Sequence, residues 1–117
     1  GVILIEGDRD KIFQVVSNLL INAIKFTSNG SITIGAEVDN LNKQVLVSVR
    51  DTGKGIDPEI LPHLFTKFAT KSKRGMGLGL YISKSIIEAH GGKIWAHNNK
   101  IEKGATFMFS LPISKDN

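Results

Sequence analysis

The spacing of the apolar residues limits the fold of this chain more than any other feature. This spacing is typical of a helix over residues 9–27 and again over residues 77–90. Each predicted helix is followed by two β-prone segments joined by a turn. The β-prone segments lie at residues 31–38, 44–50, 93–98 and 105–112, with a further one at 2–5. Because tight turns join most successive strands, the pattern argues against a classical doubly wound sheet. The pattern predicts an α/β (α+β) two-layer sandwich with a mixed, largely antiparallel sheet packed against helices.

Length and composition indicate a single domain over residues 1–117. The chain has 117 residues, 41% of them hydrophobic, which suffices for one core but not for two ordinary domains. It has no cysteine, which excludes disulfides, thiolate metal sites and cysteine nucleophiles. No apolar run approaches the ~20 residues that cross a bilayer. We therefore expect a cytoplasmic segment without direct membrane contact, and leave open a longer, membrane-anchored parent chain.

The net charge of +4 is compatible with nucleic acid, acidic lipid or a phosphorylated small molecule as partner. Four basic residues follow Phe65 and precede a glycine-rich run, namely Lys67, Lys71, Lys73 and Arg74. That neighbourhood suits phosphate better than bases, so we expect no nucleic-acid partner.

One face of the first helix carries Asn18, Asn22 and Lys25, spaced by four and then three residues. At ~100° per residue these side chains fall within about 60° of one another, at the edge of the apolar stripe. Two amide oxygens and a lysine suit a hard cation and a phosphate oxygen. The alternative is a solvated helix face.

The loop that begins at Asp51 follows a strand and contains two glycines. Its plain interpretation is a turn. The functional interpretation is that Asp51 accepts a hydrogen bond from the exocyclic amine of adenine, where guanine presents a carbonyl oxygen.

A glycine-rich run at residues 75–80 opens the second helix. It exposes backbone N–H groups at the positive end of the helix dipole, which favours a polyphosphate. The dinucleotide fingerprint is absent, and no phosphate loop ending in Gly-Lys-Ser/Thr is present. Another kind of nucleotide-binding fold is indicated.

In order and approximate spacing, these motifs resemble the ATP-binding catalytic domain of histidine protein kinases. That family shares the Bergerat-type ATP-binding fold with gyrase, Hsp90 and the mismatch-repair ATPases. The motifs are QVVSNLLINAIKFT (14–27), DTGKGI (51–56), LFTKF (64–68), GMGLGL (75–80) and GATF (104–107). They span nearly the whole chain.

The resemblance implies roles around the ATP phosphates. Asn22 would coordinate Mg²⁺, and Asn18 would contribute directly or through water. Lys25 would touch phosphate, while Phe26 would flank the adenine pocket. The phosphates would be wrapped by the backbone of Gly75, Gly77, Leu78, Gly79 and Leu80.

The resemblance also implies roles around the adenine. Asp51 would read the base, Gly53 and Gly55 would give it room, and Ile56 would pack against it. Thr106 would stand near Asp51 at the base.

Two features depart from the family. The loop at 69–74 is short for an ATP lid, and the residues do not show whether Lys71, Lys73 or Arg74 reaches a phosphate or whether all three are solvated. The family's phosphate-accepting histidine precedes an acidic residue on a helical dimerisation domain. His63, His90 and His97 lack that setting, so we expect them to be structural or solvent-facing.

The resemblance thus implies transfer of the γ-phosphoryl group of Mg-ATP to a histidine on a separate dimerisation domain. A response regulator receiver domain would be the further partner. Two alternatives stay open, an ATP-hydrolysing switch of the gyrase or chaperone type and a non-catalytic ATP-responsive module. The hydrolysing relatives carry a glutamate base four residues before the metal asparagine, where this chain has Asn18.

Overall fold

The structure, a computed structural model, describes residues 5–67 and 76–114, with no side-chain detail for 76–78. Its two helices are α1 (Arg9–Phe26) and α2 (Met76–Ala89). Its strands are β1 (Ile32–Asp39), β2 (Gln44–Asp51), β3 (Ile94–Asn98) and β4 (Ala105–Pro112). A 3₁₀ turn over Leu61–His63 lies between β2 and α2.

The strands form one four-stranded sheet in the order β1-β2-β4-β3, and every pairing in it is antiparallel. Both predicted hairpins are present, and β4 pairs with β2 across the middle of the sheet. The predicted two-layer fold with a largely antiparallel sheet is confirmed. The parallel strand that would make the sheet mixed has no counterpart among the described residues, and most of segment 2–5 lies outside them.

The core lies between the helices and one face of the sheet. Val15 and Leu19 of α1 are fully buried, as is Ile87 of α2, and they pack with β4 residues such as Phe107 and Phe109. Side chains alternate along a strand, so Phe107, Phe109 and the neighbouring Val49 of β2 share this inner face. The burial of these apolar side chains stabilises the packing of the two helices on the sheet.

Helix α1 begins as the sequence predicts. The Asp8 side chain caps it by accepting hydrogen bonds from the backbone N–H groups of Asp10 and Lys11. Its buried apolar residues are Val15, Leu19 and Ala23, whereas Ile12 and Val16 are only partly buried. Asn22, on the same side of the helix, is buried at the edge of the core, with only 5% of its surface exposed.

Neither helix in the described ranges combines the length and apolar character needed to span a membrane.

Candidate functional site

A cavity of about 330 Å³ opens between the end of α1, the start of α2 and the loop that follows β2. Its floor is formed by the inner face of β4. Six residues that the sequence singled out line it: Asn22, Phe26, Asp51, Gly55, Ile56 and Leu80. The motifs, which are distant in sequence, therefore meet at one cavity because α1, α2 and the loop pack at the same end of the sheet.

Asp51 is the buried carboxylate of this cavity, with 3% of its surface exposed. Its Oδ1 accepts hydrogen bonds from the backbone N–H groups of Gly53 at 2.9 Å and Ala105 at 3.2 Å. Among the described residues Oδ2 has no hydrogen-bond partner, and no cation pairs with this carboxylate. A fixed acceptor is thus left for a ligand that donates a hydrogen bond.

The glycines of the loop have different functions. A Cβ at Gly53 would lie 2.1 Å from the backbone oxygen of Phe26, so this glycine permits the loop to pack against the end of α1. Gly53 does not line the cavity, and the prediction that it gives room to the base stays a prediction. Gly55 does line it, with a φ of +85° that side chains disfavour.

The two asparagines of α1 have different surroundings. Asn22 lines the cavity, whereas Asn18 does not. The Asn18 Nδ2 donates to the Gly79 carbonyl at 3.3 Å and to the Ser83 Oγ at 3.2 Å, both in α2. Asn18 therefore ties the two helices together, and its metal role stays a prediction.

Three further predicted residues lie outside the cavity lining, namely Lys25, Gly79 and Thr106. Lys25 is exposed in the last turn of α1. The Thr106 hydroxyl donates to the Asn99 Oδ1 at 2.7 Å, and its role at the base stays a prediction. Because side chains alternate along β4, the residue that faces the cavity beside Asp51 is Ala105.

Other predicted residues belong to the segment around the start of α2. Four of them, Lys71, Lys73, Arg74 and Gly75, lie outside the described residues. Gly77 and Leu78 belong to the first turn of α2, but their side-chain environment is not described.

Sequence reasoning missed part of the lining: Lys54, Asp57, Ile60, Leu64, Ala105 and Phe107. The Lys54 Nζ lies 5.2 Å from the centroid of the Phe26 ring, a cation–π contact at the cavity. The ring of Phe65 packs edge-on against that of Phe107, with the centroids 6.2 Å apart, which supports the apolar floor. Leu64 and Phe65 belong to the LFTKF motif, the one signal that could have indicated them.

The three histidines all lie outside the cavity lining. His90 joins α2 to the start of α1: its Nε2 accepts the Asp8 N–H at 3.0 Å, and its Nδ1 lies 2.8 Å from the Ile86 carbonyl. Because a carbonyl only accepts, Nδ1 carries the proton. His63 and His97 are exposed. The expectation of structural or solvent-facing roles is confirmed.

The described residues contain no cluster of three or more His, Cys, Asp or Glu side chains that could enclose a metal ion. The oxygen of the buried Asn22 amide is a ligand suited to Mg²⁺. A single neutral ligand fits a metal that enters with a polyanion and keeps most of its coordination to that ligand and to water.

Comparison with known proteins agrees with this geometry. The family described as histidine kinase-, DNA gyrase B- and HSP90-like ATPases matches residues 7–115. Sensor protein KdpD of Clostridium acetobutylicum is 48% identical over 117 aligned residues, 95% of this chain but 13% of KdpD. Sensor protein FixL of Bradyrhizobium diazoefficiens is 41% identical and covers 100% of this chain, which spans 23% of FixL.

Solved structures give the same result. Full-length ShkA in complex with AMPPNP superposes with a TM-score of 0.83 at 31% identity, covering 97% of this chain and 24% of ShkA. The catalytic domain of the histidine kinase ThkA superposes with a TM-score of 0.77 at 41% identity, covering 92% of this chain and 69% of that domain structure. From its motifs, its cavity and these matches, the chain belongs to the family of histidine kinase-, DNA gyrase B- and HSP90-like ATPases.

Proposed function

We propose that this chain binds Mg-ATP in the cavity and transfers the γ-phosphoryl group to a histidine on a separate dimerisation domain. The observation that carries the proposal is Asp51, a buried carboxylate whose Oδ1 is held by two backbone donors while Oδ2 has no partner among the described residues. Such an acceptor matches the exocyclic amine of adenine and repels the carbonyl oxygen that guanine presents there.

The rest of the cavity suits a purine. Its volume of about 330 Å³ lies in the range of small-ligand sites, and its walls are mainly apolar. Ile56 and Leu80 line it together with the half-buried ring of Phe26. We place the adenine among these side chains, with its amine directed to Asp51.

The phosphates would extend from the base toward Asn22 and the start of α2. Bound Mg²⁺ would neutralise phosphate charge, which is the main requirement of phosphoryl transfer. Asn22 would hold it through the amide oxygen, and Asn18 would contribute directly or through water. Lys25 and the basic loop at 71–74 would contact phosphate oxygens, and the N–H groups of the first turn of α2 would bind them.

The acceptor would come from another domain, because none of the three histidines lines the cavity. The unprotonated imidazole nitrogen would form a bond to the γ-phosphorus while the bond to the β–γ bridging oxygen breaks, leaving ADP. The chain's own contribution is to position ATP and balance its charge.

The relatives support a role in signalling, since two of them are named sensor proteins. We propose that the dimerisation domain belongs to the same or a sister chain and that a response regulator receiver domain takes the phosphoryl group next. We place both events in the cytoplasm.

Transfer is tested with ATP labelled at the γ-phosphate. The 117-residue chain alone should stay unlabelled, and an added helical domain that carries the family's histidine should become labelled. Asn22→Ala should abolish this labelling, whereas Asn40→Ala, in the exposed turn between β1 and β2, should leave it unchanged. Label on the chain itself, or rapid release of phosphate without the added domain, would contradict the proposal.

A further inference from the structure

Asn98, the last residue of β3, makes two hydrogen bonds to one residue of the cavity loop. Its Oδ1 accepts the Ile56 N–H at 2.7 Å, and its Nδ2 donates to the Ile56 carbonyl at 2.9 Å. Among the described residues the backbone of Ile56 has no other hydrogen-bond partner. The amide of Asn98 therefore takes the place of a neighbouring strand and fixes the position from which Ile56 lines the cavity.

The next residue, Asn99, holds the other end of the same loop. Its Nδ2 donates to the backbone carbonyl of Asp51 at 3.0 Å. Its Oδ1 accepts the Thr106 hydroxyl at 2.7 Å, which orients the amide so that the nitrogen faces Asp51. Two neighbouring asparagines thus anchor the first and last residues of the loop 51–56.

We infer that Asn98 and Asn99 are positioning residues for the base. They set the distance between the carboxylate of Asp51, which reads the base edge, and the side chain of Ile56, which packs on the base face. Neither asparagine lines the cavity itself, so both act through the loop. The inference rests on the proposed binding of adenine nucleotide in this cavity.

The test compares Asn98→Ala and Asn98→Asp with Asn40→Ala. Alanine removes both bonds to Ile56, whereas aspartate keeps an acceptor for the Ile56 N–H but sets an oxygen against the Ile56 carbonyl. We expect ADP affinity, measured by calorimetry on the folded chain, to fall about tenfold in both Asn98 variants. The preference for ADP over GDP should fall as well, because the loop would no longer hold Asp51 and Ile56 at a fixed distance from each other. Asn40→Ala should bind as the unchanged chain does.

Hydrogen exchange at the Ile56 amide separates positioning from general stability. Exchange should accelerate in Asn98→Ala and stay slow in Asn98→Asp, while both variants lose affinity. Thr106→Val, which removes the donor that orients Asn99, should also lower the ADP to GDP preference.

Unchanged ADP affinity and base preference in folded Asn98 variants would overturn the inference, as would failure of both variants to fold, since Asn98 would then serve folding alone. A loss of melting temperature without a change in affinity would overturn it too. If the unchanged chain binds no ADP, the proposed function fails and the inference with it, so the two failures are distinguishable.

Discussion

Replacing Asp51 by asparagine tests how the cavity reads its ligand. The Oδ1 of Asp51 faces two backbone N–H groups, at 2.9 and 3.2 Å. An asparagine oxygen must take that place, because its amide nitrogen cannot accept from either donor. The Nδ2 of the new side chain is therefore directed to the Oδ2 position, which has no partner among the described residues. The substitution exchanges an acceptor for a donor at the point where the base edge would lie.

The magnitude follows from this exchange. Loss of a hydrogen bond to a charged acceptor costs about 1.5–3 kcal/mol, or about 10- to 150-fold in adenine nucleotide affinity. The affinity for a guanine nucleotide should rise in the same variant, because the guanine carbonyl oxygen would meet an N–H donor. The ratio of ADP to GDP affinity should therefore fall by a larger factor than ADP affinity alone. The chain should still fold, since the asparagine oxygen keeps both backbone bonds at Oδ1.

Calorimetric titration of the folded 117-residue chain with ADP and with GDP measures both quantities. Asp57→Asn is the matched control, because Asp57 also lines the cavity but is exposed, and among the described residues its carboxylate accepts only the Glu59 N–H. It should leave the ADP to GDP ratio unchanged. A folded Asp51→Asn variant that keeps this ratio would refute the argument that Asp51 selects the base.

Three further predictions concern the metal, the loop and the β1–β2 turn. Asn22→Ala should lower nucleotide affinity measured with Mg²⁺ to near the value in EDTA; a persistent Mg²⁺ effect would contradict its role. Gly53→Ala should lower the free energy of unfolding in urea by about 1–3 kcal/mol, because its Cβ would lie 2.1 Å from the Phe26 oxygen; an unchanged value would contradict this. Hydrogen bonds from the side chains of Asn42 and then Gln44 lower the pKa of Asp39, so its contribution to stability is present above its unfolded-state pKa and is lost as pH falls through the folded-state pKa. Asp39→Asn should reduce the acid-induced loss of stability, and identical pH profiles would argue against the effect.

The helices and strands could be predicted because the periodic pattern of apolar residues involves residues that are close together in the sequence. The three-four spacing of α1 and the alternation in β2 are visible in the sequence, and both elements end within one residue of their predicted bounds. Of the candidate site, the sequence indicated Asn22, Asp51 and Ile56 through their motifs, and all three line one cavity.

The remaining site residues depend on contacts between distant segments. Lys54 lies inside a predicted motif, but only the packing of the loop on α1 brings it to the Phe26 ring. Asn98 reaches Ile56 across 42 residues, and a polar residue at a strand end gives no signal of its partner. The GATF motif predicts that Thr106 lies near the base. Which of two adjacent strand residues faces the cavity depends on how the strand is aligned in the sheet. In the structure the residue of β4 that lines the cavity beside Asp51 is Ala105.

Asn18 bears on the choice between transfer to a protein and transfer to water. The family's ATP-hydrolysing members carry a glutamate base at this position relative to the metal asparagine. Here the amide nitrogen donates to the Gly79 carbonyl at 3.3 Å, a contact that a carboxylate could not make because both groups only accept. The packing of α1 on α2 is therefore built around a donor at position 18. Asn18 thus joins the helix that carries Asn22 to α2 through an amide donor, where a glutamate base would lack that contact. This arrangement supports the proposed transfer to an acceptor histidine over transfer to water.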